Sequence, residues 1–168
     1  NTDILHTTGK IDGALSFDGT SDYVDVGNAI GTGAYTKVAW VKMATGATYY
    51  NIISADNATH ALFAPSSQSY KLSSGHNGYW YYVQDSVSLA FDTWYFVALT
   101  FDPAVNSGRM VMYKDGVKVD DANSVPTQAA STKTYIGRYS SGYNFKGAID
   151  NVMLFNRALS AEEIAALY

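Results

Sequence analysis

Apolar and polar residues alternate in short segments along most of the chain, and turn-forming residues separate these segments. Alternation with a period of two is typical of a β-strand that buries one face. In "TKVAWVKM" (36–43), it predicts Val38 and Trp40 on one face of a strand and Ala39 and Val41 on the other. The same reasoning predicts further strands at 14–18, 22–26, 50–55, 60–64, 70–74, 79–83, 94–102, 134–139 and 146–156.

Two local motifs in the C-terminal half add a hairpin and a helix. In "RMVMYKDGVKVD", two apolar runs meet at Asp115-Gly116, a pair that favours the positive φ angles of a type I′ hairpin. At the end of the chain, Ser160 can cap a helix, and Glu163 can complete a capping box with it. Many short strands with one terminal helix predict an all-β sandwich or jelly roll.

The stretch "HNGYWYYVQD" (76–85) concentrates aromatic residues in one predicted strand. If that strand is regular, Trp80 and Tyr82 share one face, and Tyr79 and Tyr81 share the other. One pair then fills the core while the second faces water or a ligand. We predict that Trp80 and Tyr82 face the ligand, because polar residues cluster beside Trp80 in the adjoining turn.

Composition narrows the classes of partner. The 168 residues carry a net charge of −4, with only 11 Lys plus Arg and no basic cluster, so nucleic acid and anionic membrane surfaces are not expected partners. No apolar run approaches the ~20 residues that span a bilayer. The chain has no cysteine, which excludes disulfides and thiolate chemistry. Without repeats or low-complexity linkers, residues 1–168 are predicted to form a single domain.

Three stretches carry a family resemblance that covers nearly the whole chain. They are "GKIDGALSFDGTSDYVDVG" (9–27), "TWYFVALTFDPAVNSGRMVMYKDGVKV" (93–119) and "FKGAIDNVMLFNRALSAEEIAALY" (145–168). Together they resemble the laminin-G-like group of the concanavalin-A-like lectin and glucanase superfamily. The resemblance implies a two-sheet antiparallel jelly-roll sandwich with one short C-terminal helix, in which the first and last strands are neighbours. Because the sequence starts at Asn1 without a signal peptide, we expect it to be a module excised from a larger protein.

The same resemblance implies a structural calcium ion where the first and last strands meet. Calcium binds carboxylate and carbonyl oxygens. The carboxylate ligands carried over from the resemblance are Asp18 and Asp150, and backbone oxygens of the turn residues Gly19, Ser21 and Asp22 are expected to complete the shell. The alternative is that Asp18 only caps the turn before Gly19. That alternative leaves Asp150 unexplained, because an unpaired charge inside an apolar strand is costly.

Catalysis is not expected. Glucanases of this superfamily use two glutamates four positions apart on one strand, whereas this chain has only Glu162 and Glu163, adjacent in the predicted helix. Its histidines, His6, His60 and His76, lie in no recognisable serine–histidine setting, and no G-x-S-x-G motif is present.

The aromatic composition favours binding. The chain has 14 tyrosines against 7 phenylalanines, and tyrosine and tryptophan suit surfaces where a ring meets a ligand while its polar tip stays hydrated. Sugars offer such a match. The residues predicted to bind a ligand are Tyr50, Asn51, His76, Asn77, Trp80, Tyr82, Arg138, Tyr143 and Asn144.

These observations predict a non-catalytic carbohydrate-binding module, attached to a secreted or cell-surface bacterial enzyme or adhesin. A protein-binding, adhesion or architectural domain of a larger extracellular protein is the alternative, because tyrosine and tryptophan are also enriched at protein interfaces. The sequence leaves open which sugar is bound, whether a chain end or an internal segment is recognised, and the oligomeric state.

Overall fold

Fifteen β-strands and one α-helix account for most of residues 6–140 and 142–168, which the computed structural model describes. The first eight strands are β1 (His6–Thr8), β2 (Gly13–Asp18), β3 (Val24–Asp25), β4 (Tyr35–Met43), β5 (Asn51–Ala55), β6 (His60–Phe63), β7 (Lys71–His76) and β8 (Tyr79–Ser88). The others are β9 (Trp94–Asp102), β10 (Arg109–Lys114), β11 (Val117–Ala122), β12 (Thr134–Ile136), β13 (Arg138–Tyr139), β14 (Tyr143–Asn144) and β15 (Lys146–Phe155), followed by α1 (Ala161–Leu167). A 3₁₀ turn, Ser66–Gln68, precedes β7.

The strands form two large antiparallel sheets that pack face to face. The seven-stranded sheet has the order β1-β2-β15-β4-β9-β10-β11, and the six-stranded sheet has the order β3-β12-β5-β6-β7-β8. Strands β13 and β14 form a separate hairpin. The predicted two-sheet jelly-roll sandwich is confirmed, and so is the pairing of the first and last long strands, β2 with β15.

The main core lies between the sheets and is built by strict alternation. In β4, Tyr35, Ala39 and Val41 belong to the inter-sheet core, whereas Val38 and Trp40 point to the opposite face of the seven-stranded sheet. The alternation predicted for this strand is therefore confirmed. Burial of such apolar faces is the main stabilising contribution to a sandwich of this kind.

The outer face of the seven-stranded sheet is covered by α1. Ile164 of the helix and Leu159 before it pack with Trp40 and Phe96. The predicted capping box is present: the Ser160 hydroxyl accepts from the amide of Glu163 at 3.2 Å, and the Glu163 carboxylate accepts from the amide of Ser160 at 2.9 Å. The six-stranded sheet, whose outer face no helix covers among the described residues, is the one that carries the candidate site.

The predicted hairpin turn is also confirmed. Asp115 and Gly116 connect β10 to β11 with φ angles of 50° and 76°. Two consecutive positive φ angles match the right-handed twist of the flanking strands.

Candidate ligand-binding groove

A cavity of about 440 Å³ opens on the outer face of the six-stranded sheet. Its floor comes from β5 and β6, one wall from β8, and the other wall from the β13–β14 hairpin. We call this surface the aromatic groove; it is lined by Tyr49, Asn51, Ala61, Phe63, Trp80, Tyr81, Tyr139, Ser140 and Tyr143. Ala61 and Phe63 reach it because they alternate along β6 with Leu62, which lies in the inter-sheet core.

The hairpin wall follows from a short ribbon with a tight turn. Ser140 and Gly142 have φ angles of 48° and 112°, which allow the chain to reverse direction between β13 and β14. Tyr139 is directly opposite Tyr143 in the register of the two strands. Cross-strand partners point to the same side of a ribbon, so both rings face the groove. Ser141, which separates Ser140 from Gly142 in the sequence, lies outside the described residues.

The opposite wall depends on an irregular pairing of β7 with β8. Ser74 pairs with Val83, but His76, only two residues later, pairs with Tyr79. The extra residues of β8 bulge over Gly75, where an added Cβ would lie 1.9 Å from the carbonyl oxygen of Tyr79. A side chain at position 75 would therefore collide with the main chain that carries Trp80.

The bulge overturns the predicted face assignment of the aromatic run. Trp80 and Tyr81 both line the groove, with ring centroids 6.5 and 6.0 Å from that of Phe63. Tyr82 packs against the inter-sheet core instead, and Tyr79 is 58% exposed outside the groove. The prediction that Trp80 and Tyr82 share a face was wrong because it assumed a regular strand.

Contacts between rings link the two walls. The Trp80 ring lies 5.5 Å from Tyr139, and Tyr139 lies 5.8 Å from Tyr143. Tyr143 in turn meets Tyr49 edge to face at 4.5 Å. Such contacts fix ring orientations and contribute about 1 kcal/mol each beyond area burial. Burial and the neighbouring Tyr143 raise the pKa of Tyr139, so its hydroxyl is protonated at neutral pH.

Asn51 ties the floor of the groove to its hairpin wall. Its Nδ2 donates to the carbonyl oxygen of Tyr143 at 3.0 Å, and its Oδ1 accepts from the Ser54 hydroxyl at 3.0 Å. Asn51 is only 3% exposed. Its amide therefore holds the wall in place and has little surface left for a ligand.

Two residues predicted to bind a ligand lie in the core, which corrects those predictions. Tyr50 is fully buried, and its hydroxyl donates to the carbonyl oxygen of Ala44 at 2.6 Å. His76 is fully buried between the sheets, beside Tyr35. The polar neighbour of His76, Asn77, belongs to the adjacent turn, whereas that of Tyr50, Asn51, is itself buried in β5.

The other predicted ligand residues lie outside the groove. Asn77 is exposed but bonded to Thr127 and Ala129 of a separate loop. Arg138 projects from the opposite side of the hairpin, and Asn144 is buried, with its Nδ2 donating to the carbonyl oxygen of Thr20 at 2.6 Å. The structure thus brings together Asn51, Trp80 and Tyr143 from the predicted set. The sequence reasoning missed Tyr49, Ala61, Phe63, Tyr81, Tyr139 and Ser140.

The residues predicted to hold calcium do not form one site. Asp18 is paired with Lys146, and Asp150 lies four residues further along β15, about 13 Å away at the usual strand rise. The Asp150 carboxylate accepts the amides of Lys10 and Ile11 at 2.8 and 3.0 Å. These amides supply the partners that a buried charge needs.

Asp18 stabilises its own turn, as the alternative interpretation holds. Its carboxylate accepts from the amides of Thr20, Ser21 and Asp22 and from two hydroxyls, and Asp22 accepts the Asp18 amide at 3.0 Å. Gly19 supplies a φ of 82°. Partial burial raises the pKa of Asp18, but these hydrogen bonds outweigh that effect and hold the pKa well below its usual range. Within the described part of the chain, no group of three or more His, Cys, Asp or Glu is arranged for a metal, and Asp18 and Asp150 are too far apart along the sheet to bind the same ion.

No carboxylate or histidine lines the groove among the described residues. Glu162 and Glu163 lie in α1, which covers the other sheet, and Glu163 is paired with Arg157 at 2.7 Å. His60 is buried in the core. The groove therefore offers rings, hydroxyls and an indole N–H, without a pair of acids across a scissile bond.

Comparison with known proteins agrees with the fold. A family model described as the concanavalin A-like lectin/glucanases superfamily matches residues 18–165. Domain 4 of AbnA, a GH43 extracellular arabinanase from Geobacillus stearothermophilus solved with arabinotriose, superposes with a TM-score of 0.78 at 20% identity, covering 99% of this chain and 82% of that one. The Ruminococcus gnavus IT-sialidase CBM40, bound to α2,3-sialyllactose, gives 0.75 at 13% identity, covering 92% and 95%.

Two further observations concern sequence relatives and membrane-spanning helices. No curated protein sequence matches the chain. Among the described residues, no helix is both long enough and apolar enough to cross a bilayer.

Proposed function

The chain belongs to the concanavalin A-like lectin/glucanase superfamily, and from this premise we propose that it is a non-catalytic carbohydrate-binding module whose ligand lies in the aromatic groove. The single observation that carries the proposal is the set of rings on the two walls, Trp80, Tyr81, Tyr139 and Tyr143, around an open cavity. The C–H faces of a sugar ring can stack on such rings while its hydroxyls bond to the phenols.

The exposure of the aromatic rings in the groove supports a role in ligand binding rather than in core packing. Tyr81 and Tyr143 are each 39% exposed, and both line the same cavity as the partly exposed Trp80. Clusters of exposed aromatic residues are uncommon on monomeric surfaces and mark binding sites. A cavity of about 440 Å³ has room for a small segment of a glycan, whereas a stable protein partner needs a broader contact.

The absence of acid–base groups supports a non-catalytic role. Hydrolysis of a glycosidic bond needs two carboxyl groups on either side of it, and the described lining of the groove contains none. Modules of this kind tether an enzyme or adhesin to its target. The extracellular arabinanase domain and the sialidase module, both with oligosaccharides bound, support attachment to a larger secreted or cell-surface protein.

A binding titration with matched variants tests the proposal. The wild-type domain is screened on a glycan array, and the best ligand is measured by calorimetry. Trp80→Ala should weaken that affinity about tenfold or more, which corresponds to about 1.4 kcal/mol, because it removes the central stacking surface. Tyr143→Ala, which changes an exposed ring on the other wall, should weaken it as well and stays informative if Trp80→Ala fails to fold.

Tyr79→Ala is the matched control. Tyr79 lies on the same strand as Trp80 and is 58% exposed, but it does not line the groove. Its replacement should leave the affinity unchanged. Equal losses in Tyr79→Ala and Trp80→Ala would contradict the assignment of the groove. Silence of a folded domain across all glycans would contradict carbohydrate binding and favour the protein-binding alternative.

A further inference from the structure

We infer that the aromatic groove selects neutral saccharides and rejects those that carry a carboxylate. This inference rests on the proposed carbohydrate-binding function and specifies the class of its ligand. It follows from the neutral lining of the groove and from the position of the nearby side chain of Arg138.

The polar groups that line the groove are neutral. Within the described residues, its lining contains no lysine, arginine, histidine, aspartate or glutamate. The available groups are the hydroxyls of Ser140 and the tyrosines and the indole N–H of Trp80. Hydroxyls both donate and accept, so they match the hydroxyls of a neutral sugar, which do the same. The amide of Asn51 is already bonded to Tyr143 and Ser54.

Arg138 is the cation nearest in sequence to the groove wall, and the structure turns it away. Because Arg138 and Tyr139 are consecutive in β13, their side chains project to opposite sides of the hairpin. The guanidinium lies 4.4 Å from the ring centroid of Tyr23 and 5.5 Å from that of Tyr135.

A hydrogen bond holds Arg138 in that position. Its Nε donates to the carbonyl oxygen of Ser140, within the same hairpin. Two ring contacts and one hydrogen bond orient the guanidinium on the far side of the wall. To meet a ligand in the groove, it would have to leave all three partners.

A carboxylate in this groove would lose hydration without gaining a charged partner. Desolvation of an unpaired charge is unfavourable, and the net charge of −4 adds a long-range repulsion. A neutral sugar meets neither cost. The groove should therefore bind a neutral sugar more tightly than its acidic analogue.

Calorimetry with neutral and acidic probes tests the inference. The neutral probes are arabinotriose, cellotriose, xylotriose and lactose, and the acidic probes are trigalacturonate and α2,3-sialyllactose, which contains lactose plus a carboxylate sugar. We expect binding of at least one neutral probe and at least about tenfold weaker binding of both acidic probes. The affinity for the neutral probe should be the same at about 50 and about 500 mM NaCl, since no ion pair is screened.

A charge-inserting variant sharpens the test. Ser140→Lys adds a cation to the hairpin wall and should raise the affinity for an acidic probe in low salt by about tenfold, an effect that high salt removes. Ser140→Gln adds comparable bulk without charge and is the reference for Ser140→Lys; it should not raise the affinity for an acidic probe at either salt concentration.

The outcomes separate the two proposals. Tighter binding of α2,3-sialyllactose than of lactose by the wild-type domain, weakened by salt, would overturn the selectivity while supporting carbohydrate binding. If no probe and no array glycan binds to the folded domain, the proposed function fails and the selectivity fails with it.

Discussion

The hydroxyl of Tyr35 lies 2.6 Å from Nε2 of His76, which forms a hydrogen bond across the core between the two sheets. The other ring nitrogen, Nδ1, lies 3.0 Å from the carbonyl oxygen of Pro126. Since a carbonyl oxygen can only accept, Nδ1 carries a proton. In the neutral imidazole, Nε2 then accepts from the hydroxyl of Tyr35, so both ring nitrogens of His76 have partners.

Two other basic groups lie in the same buried cluster. Nζ of Lys37 lies 2.9 Å from Nδ1 of His60 and 3.2 Å from the carbonyl oxygen of Ile53. Burial lowers the pKa of Lys37 and of His60 well below their usual values, and the charge of Lys37 acts on His60 in the same direction. Burial also lowers the pKa of His76, to about 4, despite the opposing hydrogen bond to Pro126. The core is built for uncharged forms of these groups.

The first prediction is a loss of stability in mild acid. The unfolded chain protonates His76 near pH 6.5, whereas the folded chain does so only near pH 4, so the unfolded state binds more protons between these values. The free energy of unfolding should fall by about 2 kcal/mol from this residue between pH 7 and pH 5. His60 acts in the same direction. Urea unfolding at a series of pH values measures the slope.

Variants identify the group responsible for that slope. His76→Gln should flatten the pH dependence although it lowers stability at pH 7. His6→Gln, at an exposed histidine of β1, should keep the wild-type slope. The same slope in wild type and His76→Gln would show that another group controls acid stability.

The second prediction concerns Gly75 of β7, which lies directly under the bulge of the neighbouring strand β8. A methyl group there would lie 1.9 Å from the Tyr79 carbonyl oxygen and 2.7 Å from Cα of Trp80. Gly75→Ala should therefore destabilise the domain by at least about 2 kcal/mol and weaken glycan binding, because the main chain under Trp80 must move. Gly31→Ala is the control, since an added methyl meets nothing within 4 Å. Thermal melts and calorimetry report both effects, and a fully active Gly75→Ala would refute the role of the bulge.

The third prediction separates turn stabilisation from metal binding at Asp18. Asp18→Ala removes the acceptor of three amides and two hydroxyls, which should lower stability by about 1 kcal/mol. The loss should be the same in chelator and in calcium. Because the folded pKa of Asp18 is depressed, the contribution of its carboxylate is present above its ordinary pKa and disappears as the pH falls below it. A stability difference that appears only with calcium would reinstate a metal site.

The fold was predictable because its signals are local. The alternation in β4, the Asp115-Gly116 turn and the Ser160 capping box each act over a few residues, so that the sequence pattern and the structure agree there. Local rules of this kind do not depend on distant partners.

The site was only partly predictable, because long-range contacts decide it. Asp150 looks like a metal ligand in its own strand, but the amides that bind it lie 140 and 139 residues earlier. The face of Tyr82 depends on how β8 crosses Gly75 of the neighbouring strand, which no alternation pattern records. Tyr139 joins Trp80 in the groove only because the hairpin folds over the sheet.

The last prediction addresses Asn51 as the link between the floor and the hairpin wall. Asn51→Ala removes the hydrogen bonds to the Tyr143 carbonyl and the Ser54 hydroxyl, at a cost of about 1–3 kcal/mol for buried partners. It should also weaken glycan binding, since the Tyr143 ring loses its anchor. Ser54→Ala breaks only the bond to Ser54, so it should lower stability while the affinity remains close to wild type. If the two variants lose affinity equally, general destabilisation accounts for the effect, and the Asn51–Tyr143 bond does not position the wall.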